Sequence, residues 1–223
     1  MHIVPAIIPK DFQDIPAKLE LVKGIADTVQ IDICDGKFAP NKTWPYVGDH
    51  GEFTAMLQEK EGLPFWKDFD FEFDLMVANP REVVPNFVRL GASRVFVHIE
   101  SVEPDELSDL IQEWKNAVEM GLALKPSTPL SLLETFLHEV SSVQCMGNDK
   151  ISFGGVTLDE RVVDRVAELR RRYPTLAISV DIGVNARTAP SLIAAGATRL
   201  VMGSAIFGSG NPRRAIEEFK ELM

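Results

Sequence analysis

Three glycine-containing turns in the last third of the chain are the first sign of chemistry. They are SFGG (residues 152–155), DIG (181–183) and GS (203–204). Glycine lets backbone N–H groups approach an anion closely, and a helix that begins after such a turn adds a favourable dipole. Ordinary turns between strands and helices are the alternative. The turns predict a phosphate site, with a short extra helix after it in AIFGSGN, at Gly154, Gly155, Gly183, Gly203 and Ser204.

Polar side chains also follow the predicted strands at the points where those strands end. A single acid at a strand end is often only a helix cap. Several strands that offer polar groups at one rim are typical of a functional site, because parallel strands end on the same side. The residues at these ends are Gln30, Asp32, Asp35, Asp74, Met76, His98, Glu100, Lys125, Met146 and Asp181.

The elements that must position these residues alternate regularly along the chain. Short β-branched runs predict strands, and longer amphipathic stretches between them predict helices. We predict strands over residues 3–8, 28–33, 71–77, 94–98, 122–125, 142–146, 177–181 and 199–202. We predict helices over residues 11–23, 52–60, 80–90, 103–118, 129–140, 158–172, 186–195 and 212–222.

Helix boundaries support this reading. Asp11 and Thr128 are expected to be N-caps, the second followed by a proline at the first helical position. Left-handed C-terminal caps are expected at Gly24, Gly91, Gly121 and Gly196.

Eight strand–helix units predict an α/β fold, a single-domain (β/α)₈ TIM barrel over residues 1–223. An open doubly wound sheet is the structural alternative. Residues 42–70, rich in tryptophan, proline, glycine and charge, are expected to be an insertion with the second helix and a lid-like loop. A plain solvated insertion is equally compatible with this composition.

Composition excludes several classes of protein. The net charge of −10 argues against a nucleic-acid partner, which requires a basic surface. Cys34 and Cys145 are too few for a disulfide framework and fit buried, reduced thiols. The chain has no apolar run long enough for a membrane span, and its first residues lack the features of a secretion signal. We therefore expect a cytoplasmic protein with no membrane partner.

Several motifs in order resemble those of the ribulose-phosphate 3-epimerases. QIDICDGKFAPN (residues 30–41) is similar to the family signature H-x-D-x-M-D-G-x-F-x-P-N, and KPSTP (125–129) to its N-P-x-T-P turn. DLMV (74–77) and HIE (98–100) resemble its third and fourth units. FGG (153–155), DIGV (181–184) and GSAIF (203–207) resemble its glycine loops. The resemblance implies a TIM barrel that binds a sugar phosphate, and family members are often homo-oligomers.

The resemblance also implies a catalytic centre, which this sequence alters. The family holds one divalent metal with two histidines and two aspartates, and the aspartates move protons on opposite faces of the substrate. Asp32 and Asp181 stand at the aspartate positions, whereas Gln30 and Asp74 replace the histidines. Two serine positions become Ala6 and Pro9, and the asparagine of the fifth-strand turn becomes Lys125. Met76 is expected to line the substrate pocket.

Two consequences of these replacements stay open. The oxygen ligands Gln30, Asp32, Asp74 and Asp181 suit Mg²⁺ or Mn²⁺ better than Zn²⁺ or Fe²⁺. Alternatively no metal binds, and Lys125 compensates the acids and acts in catalysis, since clustered carboxylates need a cation. On that alternative Lys125 lies within ion-pair reach of Asp32, Asp74 or Asp181.

The leading functional hypothesis is a sugar-phosphate isomerase, similar to the epimerases, that works by proton transfer beside a ketone through an ene-diolate. Asp32 and Asp181 would be its acid and base. A related sugar-phosphate lyase or decarboxylase is the second hypothesis, although residues 32–35 lack the decarboxylase pattern D-x-K-x-x-D. The third is a non-catalytic sugar-phosphate-binding protein.

Overall fold

Eight parallel strands close into a barrel in a computed structural model, which describes residues 1–48 and 50–222. Each strand pairs with its sequence neighbours, and the last strand pairs with the first. This confirms the predicted TIM barrel. The strands are β1 (His2–Ile7), β2 (Thr28–Cys34), β3 (Asp70–Met76), β4 (Arg94–His98), β5 (Glu119–Leu124), β6 (Ser142–Met146), β7 (Ala177–Asp181) and β8 (Arg199–Met202).

The helices cover the outside of the barrel. They are α1 (Asp14–Val22), α2 (Gly51–Leu57), α3 (Pro80–Arg89), α4 (Pro104–Trp114), α5 (Arg161–Arg172), α6 (Ala189–Ala195), α7 (Ser204–Phe207) and α8 (Pro212–Lys220). Short 3₁₀ turns lie at Ile99–Ser101 and Leu130–Leu133. Helix α7 is the predicted extra helix after the glycine turn at residue 203. Among the described residues, none of the helices is both long and apolar enough to cross a membrane.

The helix predicted over residues 129–140 is wrong. This connection between β5 and β6 holds only the 3₁₀ turn Leu130–Leu133 and further turns. Its backbone N–H groups bond three residues back, from Leu132 to Pro129, from Phe136 to Leu133 and from Glu139 to Phe136. The expected cap Thr128 donates its hydroxyl to Glu100 instead. The apolar spacing that predicted a helix is therefore satisfied by turns that bury Leu133 and Phe136.

Three of the predicted C-terminal caps are confirmed. The side chain of Asp11 accepts a hydrogen bond from the Asp14 N–H at 3.0 Å, but the N-cap position of α1 is Gln13, two residues later. Gly24, Gly91 and Gly196 have φ values of 76°, 87° and 105°, the left-handed conformation expected after a helix. Gly121 does not cap a helix, because it lies inside β5.

The core has an apolar outer layer and a polar barrel interior. Strand residues that point outward, such as Phe73 and Leu75, pack with the helices around the barrel. Inside, at the amino ends of the strands, the buried Glu72 forms ion pairs with Arg94 at 2.9 Å and with Arg199. Arg199 also donates to Ser179. This network fills the bottom of the barrel and leaves the opposite end for a site.

The start of the predicted insertion over residues 42–70 belongs to the core. Thr43 donates its hydroxyl to the Asp32 carbonyl and accepts the Cys34 N–H, both at 2.8 Å. Trp44 is fully buried between the rings of Phe12 and Phe53. Asp49, within the predicted lid-like loop, lies outside the described residues. The first part of this segment therefore anchors the end of β2.

The tight fit at Gly121 generates a stability prediction. A Cβ atom there would lie 2.6 Å from the Phe96 ring and 2.9 Å from the Ser142 hydroxyl. We expect Gly121→Ala to lower the free energy of unfolding by about 1–3 kcal/mol because it overpacks the barrel. Phe96→Leu in the same chain should recover part of this loss. Chemical denaturation measures both, with Gly62→Ala, which has room for a methyl group, as the control. Equal stability of Gly121→Ala and the parent protein would contradict this account.

Candidate active site

Three buried carboxylates meet at the carboxyl ends of the strands. Asp32 on β2 lies directly beside Asp74 on β3 in the strand register, and Asp181 ends β7. One oxygen from each carboxylate lies within 4.8 Å of the others. Burial and mutual repulsion both oppose full ionisation of such a cluster. The predicted convergence of these acids at one rim is therefore observed.

The amide of Gln30 joins two of the three acids. Its Nε2 donates to Asp32 at 2.8 Å and to Asp181 at 3.1 Å. The other amide atom, Oε1, is buried and has no hydrogen-bond partner in the described part of the chain. A buried acceptor without a partner is uncommon and costs free energy. This oxygen is a ligand atom available to an ion or substrate beside the carboxylates.

The third acid, Asp74, is paired with a histidine. The Nε2 atom of His98 lies 2.9 Å from Asp74, and its Nδ1 atom lies 3.6 Å from Glu100. Burial opposes a charge on this ring, but the carboxylates of Asp74 and Glu100 raise the pKa of His98 to about 9. His98 is therefore an imidazolium at neutral pH. It supplies the positive charge that the acids require.

Lys125 does not supply that charge. Its amine lies 4.4 Å from the centroid of the Phe38 ring, and it forms no ion pair with any residue in the described ranges. The prediction that Lys125 pairs with Asp32, Asp74 or Asp181 is wrong. Strand β5 ends at Leu124, so Lys125 lies beyond it, and its backbone N–H donates to Glu100 at 2.7 Å.

The two acids that Gln30 joins, Asp32 and Asp181, both have raised pKa values. Burial raises the pKa of Asp32 well above its usual value, and the charges of Asp181 and Asp74 add to this effect. Burial and the charge of Asp74 raise the pKa of Asp181 to about 7, although hydrogen bonds from Gln30 and the Ile182 N–H oppose the rise. Near neutral pH the cluster therefore retains a proton. An acid and a base of matched strength suit proton transfer.

The predicted phosphate residues line the same pocket as two of these acids. A pocket with about 40 Å³ of space for water-sized molecules opens between β6, β7 and β8. Asp32 and Asp181 lie on its wall. Met76 and Met146, on the same wall, contribute apolar surface. The pocket is also lined by the predicted phosphate residues Gly154, Gly155, Gly183, Gly203 and Ser204.

The turns after β6 and β7 pack backbone against backbone. A Cβ atom on Gly147 would lie 1.8 Å from the Ile182 carbonyl oxygen, and one on Gly183 would lie 2.4 Å from the Leu158 nitrogen. The Gly147 N–H donates to the Asp181 carbonyl. Only glycine fits at these two positions, so the two turns form one rigid wall of the pocket.

Three residues of the site were not among the predicted site residues, although Ser152 and Ile182 belong to the glycine-containing turns. Ser152 and Ile182 line the pocket with φ values of 75° and 76°, which non-glycine residues rarely adopt and which are common near functional sites. No sequence signal marks such a backbone conformation. Gln144 donates to Asp74 at 3.3 Å from inside the barrel. Its position two residues before Met146 on β6 places it on the same face, so strand alternation was the signal available.

Comparison with known proteins identifies the family. The sequence pattern of the Ribulose-phosphate 3 epimerase family matches residues 2–207. The chain belongs to the ribulose-phosphate 3-epimerase family. It is 32% identical to ribulose-phosphate 3-epimerase of Bacillus subtilis, over 99% of this chain and 98% of that protein. It is 30% identical to that of Escherichia coli, over 98% and 94% of the two chains. The resemblance inferred from the motifs and the predicted class, sugar-phosphate epimerase, are confirmed.

Solved structures share the fold. The 3-hexulose-6-phosphate synthase of Salmonella typhimurium superposes with a TM-score of 0.72 at 15% identity, over 100% of this chain and 98% of that one. KGPDC from Streptococcus mutans, in complex with D-R5P, superposes with a TM-score of 0.73 at 15% identity, over 99% and 95%. At 15% identity, the similarity to these two structures shows only a shared barrel fold.

Gly154 offers a direct test of the phosphate pocket. A Cβ atom there would meet only the Ser204 Cβ, at 4.0 Å, and the residue does not have a positive φ. We expect Gly154→Val to fold normally while its side chain occupies the pocket. The Kd for inorganic phosphate, measured by calorimetry, should rise about tenfold or more, a loss of about 1.4 kcal/mol. Gly62→Val, remote from the pocket, should bind phosphate normally. Unchanged affinity in Gly154→Val would place the phosphate elsewhere.

Proposed function

We propose that this protein interconverts ribulose 5-phosphate and its epimer at carbon 3, with Asp32 and Asp181 as the acid–base pair. One observation supports this proposal above the others. Asp32 and Asp181, bridged by the Gln30 amide, lie in the pocket that the glycine turns also line. A phosphate held by these turns would place the sugar carbons against the two acids.

The proton balance of the cluster suits this reaction. An epimerase removes a proton from the carbon beside a ketone, forms an ene-diolate and returns a proton to the opposite face. One acid must start ionised and the other protonated. The raised pKa values of Asp32 and Asp181 provide that combination near neutral pH. In each direction one aspartate accepts the substrate proton while the other donates its own.

We further propose that one divalent metal, Mg²⁺ or Mn²⁺, binds in this cluster. The donors fit such an ion, because Asp32, Asp74 and Asp181 place carboxylate oxygens within 4.8 Å of one another. Gln30 adds a buried oxygen without a partner, and a rotation of its amide would turn that oxygen toward the acids. A bound metal would supply positive charge to stabilise the ene-diolate oxygens. His98 would keep Asp74 oriented by its hydrogen bond.

The test of the proposed reaction is direct. Purified protein should convert ribulose 5-phosphate to xylulose 5-phosphate, and in D₂O one deuterium should enter at carbon 3. Mn²⁺ should increase the rate and a chelator should lower it. Absence of both turnover and exchange, with and without Mn²⁺, would overturn the proposal.

Replacing either proton carrier should separate chemistry from binding. We expect Asp32→Asn and Asp181→Asn each to lower kcat by about 10²–10⁴-fold, because each side chain then cannot transfer a proton. Affinity for inorganic phosphate should change little. Thermal stability should stay equal or rise, since each change removes a repelling buried carboxylate. Asp70→Asn, at the exposed opposite end of β3, should retain parental activity. Parental rates in both site variants would show that the chemistry lies elsewhere.

The protonation of the cluster also predicts how stability and metal binding depend on pH. Asp181 has a folded pKa of about 7 and His98 one of about 9, both above their unfolded values. Groups with raised pKa values stabilise the fold at low pH and lose that contribution as the pH rises through the folded value. The chelator-treated protein should therefore lose stability from about pH 5 to about pH 9. We expect circular dichroism melts to show this decline.

The stabilisation that added Mn²⁺ provides should instead increase as the pH rises. Metal binding requires ionised carboxylates, so the increase in Tm should be larger near pH 8 than near pH 5.5. In Asp74→Asn, which lacks one ligand, the Mn²⁺-dependent increase should be smaller at both pH values. The same increase in Tm at both pH values in the parent protein would count against a metal held by these carboxylates.

A further inference from the structure

A second cavity adjoins the phosphate pocket. It measures about 390 Å³ and lies between the loops that follow β1, β2 and β6. Ile8, Ser152, Phe153 and Gly154 line both cavities, so the two are adjacent. Its outer wall contains Lys10 and Lys42, and none of its lining residues is acidic. We call this cavity the lysine vestibule.

The two lysines have no acidic partner. Neither amine forms an ion pair within 4.0 Å anywhere in the described chain, and both residues are exposed. The two acids that contact the backbone of these lysines have other partners. Asp14 pairs with Lys18 at 2.9 Å. Asp35 accepts the backbone N–H groups of residues 37, 38 and 78. The charges of Lys10 and Lys42 are therefore available to an incoming anion.

The structure also holds the backbone near both lysines and the side-chain stem of Lys42. The stem of Lys42 packs against Gly36, where a Cβ atom would lie 2.6 Å from the Lys42 Cγ and Cε atoms. Its backbone is held by a bridge to Asp35. Lys10 follows Pro9, whose carbonyl accepts the Trp44 N–H at 3.1 Å. Both lysines are thus attached to well-anchored backbone at the mouth of the pocket.

The net charge of the protein bears on what the lysine vestibule can do for an anionic substrate. The protein has a net charge of −10, and the pocket contains the buried carboxylates. The net charge of the protein repels a dianionic sugar phosphate. A local region of positive charge next to a cleft raises the rate of capture of an anion by about 10–10³-fold, and salt weakens the effect.

We propose that Lys10 and Lys42 form an anion-capture site, which receives the phosphate of the substrate and delivers it to the glycine turns. The proposal rests on the proposed function for the identity of the substrate. The vestibule meets the pocket at Gly154, the phosphate end, rather than beside the three acids. Lys10 and Lys42 act on binding and take no part in the proton transfer.

The test compares two double variants with equal change in net charge. Lys10→Gln/Lys42→Gln removes the capture site, and Lys60→Gln/Lys67→Gln removes two lysines from the loop near the amino end of β3. At low salt, kcat/KM for ribulose 5-phosphate should fall about tenfold in the first variant, with kcat within about twofold of the parent. The dependence of kcat/KM on NaCl should become shallower. The control variant should keep the parental values and the parental salt dependence.

Inorganic phosphate separates this proposal from the proposed function. Its Kd at low salt, measured by calorimetry, should rise several-fold in Lys10→Gln/Lys42→Gln and stay unchanged in the control, whether or not ribulose 5-phosphate is turned over. Absence of turnover together with this rise would overturn the proposed reaction and support the capture site. An unchanged Kd and an unchanged salt dependence in both variants would overturn the capture site. An equal effect in both variants would also overturn it, since net charge alone would then explain the change.

Discussion

The site depends on the burial of three carboxylates within 4.8 Å of one another. Each ionised carboxylate loses hydration when it is buried, and each repels the other two. The protein offsets this cost in three ways. His98 places a positive charge beside Asp74, Gln30 donates both its N–H bonds to Asp32 and Asp181, and the cluster retains a proton. The chemistry we propose uses that retained proton.

The groups that hold His98 in place include residues of the neighbouring loops. Glu100 faces the second ring nitrogen of His98, and although burial works against its charge, His98 and nearby donors lower the pKa of Glu100 to about 2. Two of those donors, the Lys125 N–H and the Thr128 hydroxyl, belong to the turn after β5. A helix capped by Thr128 would withdraw that hydroxyl. The turn found in place of the predicted helix therefore helps to hold Glu100 beside the His98 imidazolium.

The sequence predicted the parts of the site that the strand register determines. Parallel strands end on one side, so Asp32, Asp74 and Asp181 had to meet, and the glycine turns had to lie beside them. It could not predict the direction of long side chains. The Lys125 amine lies against the Phe38 ring, and the cation beside Asp74 is His98, which the sequence placed only among the polar residues at the strand ends. The sequence also predicted Gly121 as a helix cap. Its actual role is to leave room for Phe96 inside the barrel, and no local sequence pattern marks such a contact.

The backbone contact between the turns after β6 and β7 has a consequence for how substrate preference can diverge in this barrel. Any side chain at Gly147 or Gly183 meets main-chain atoms of the facing segment, so single replacements there are blocked. This wall of the pocket is thus closed to change by single replacements. Single replacements meet less steric resistance where side chains rather than backbone atoms are in contact. Gln30 and Asp74, which stand where the motif resemblance implies histidines, lie on β2 and β3, outside these two turns.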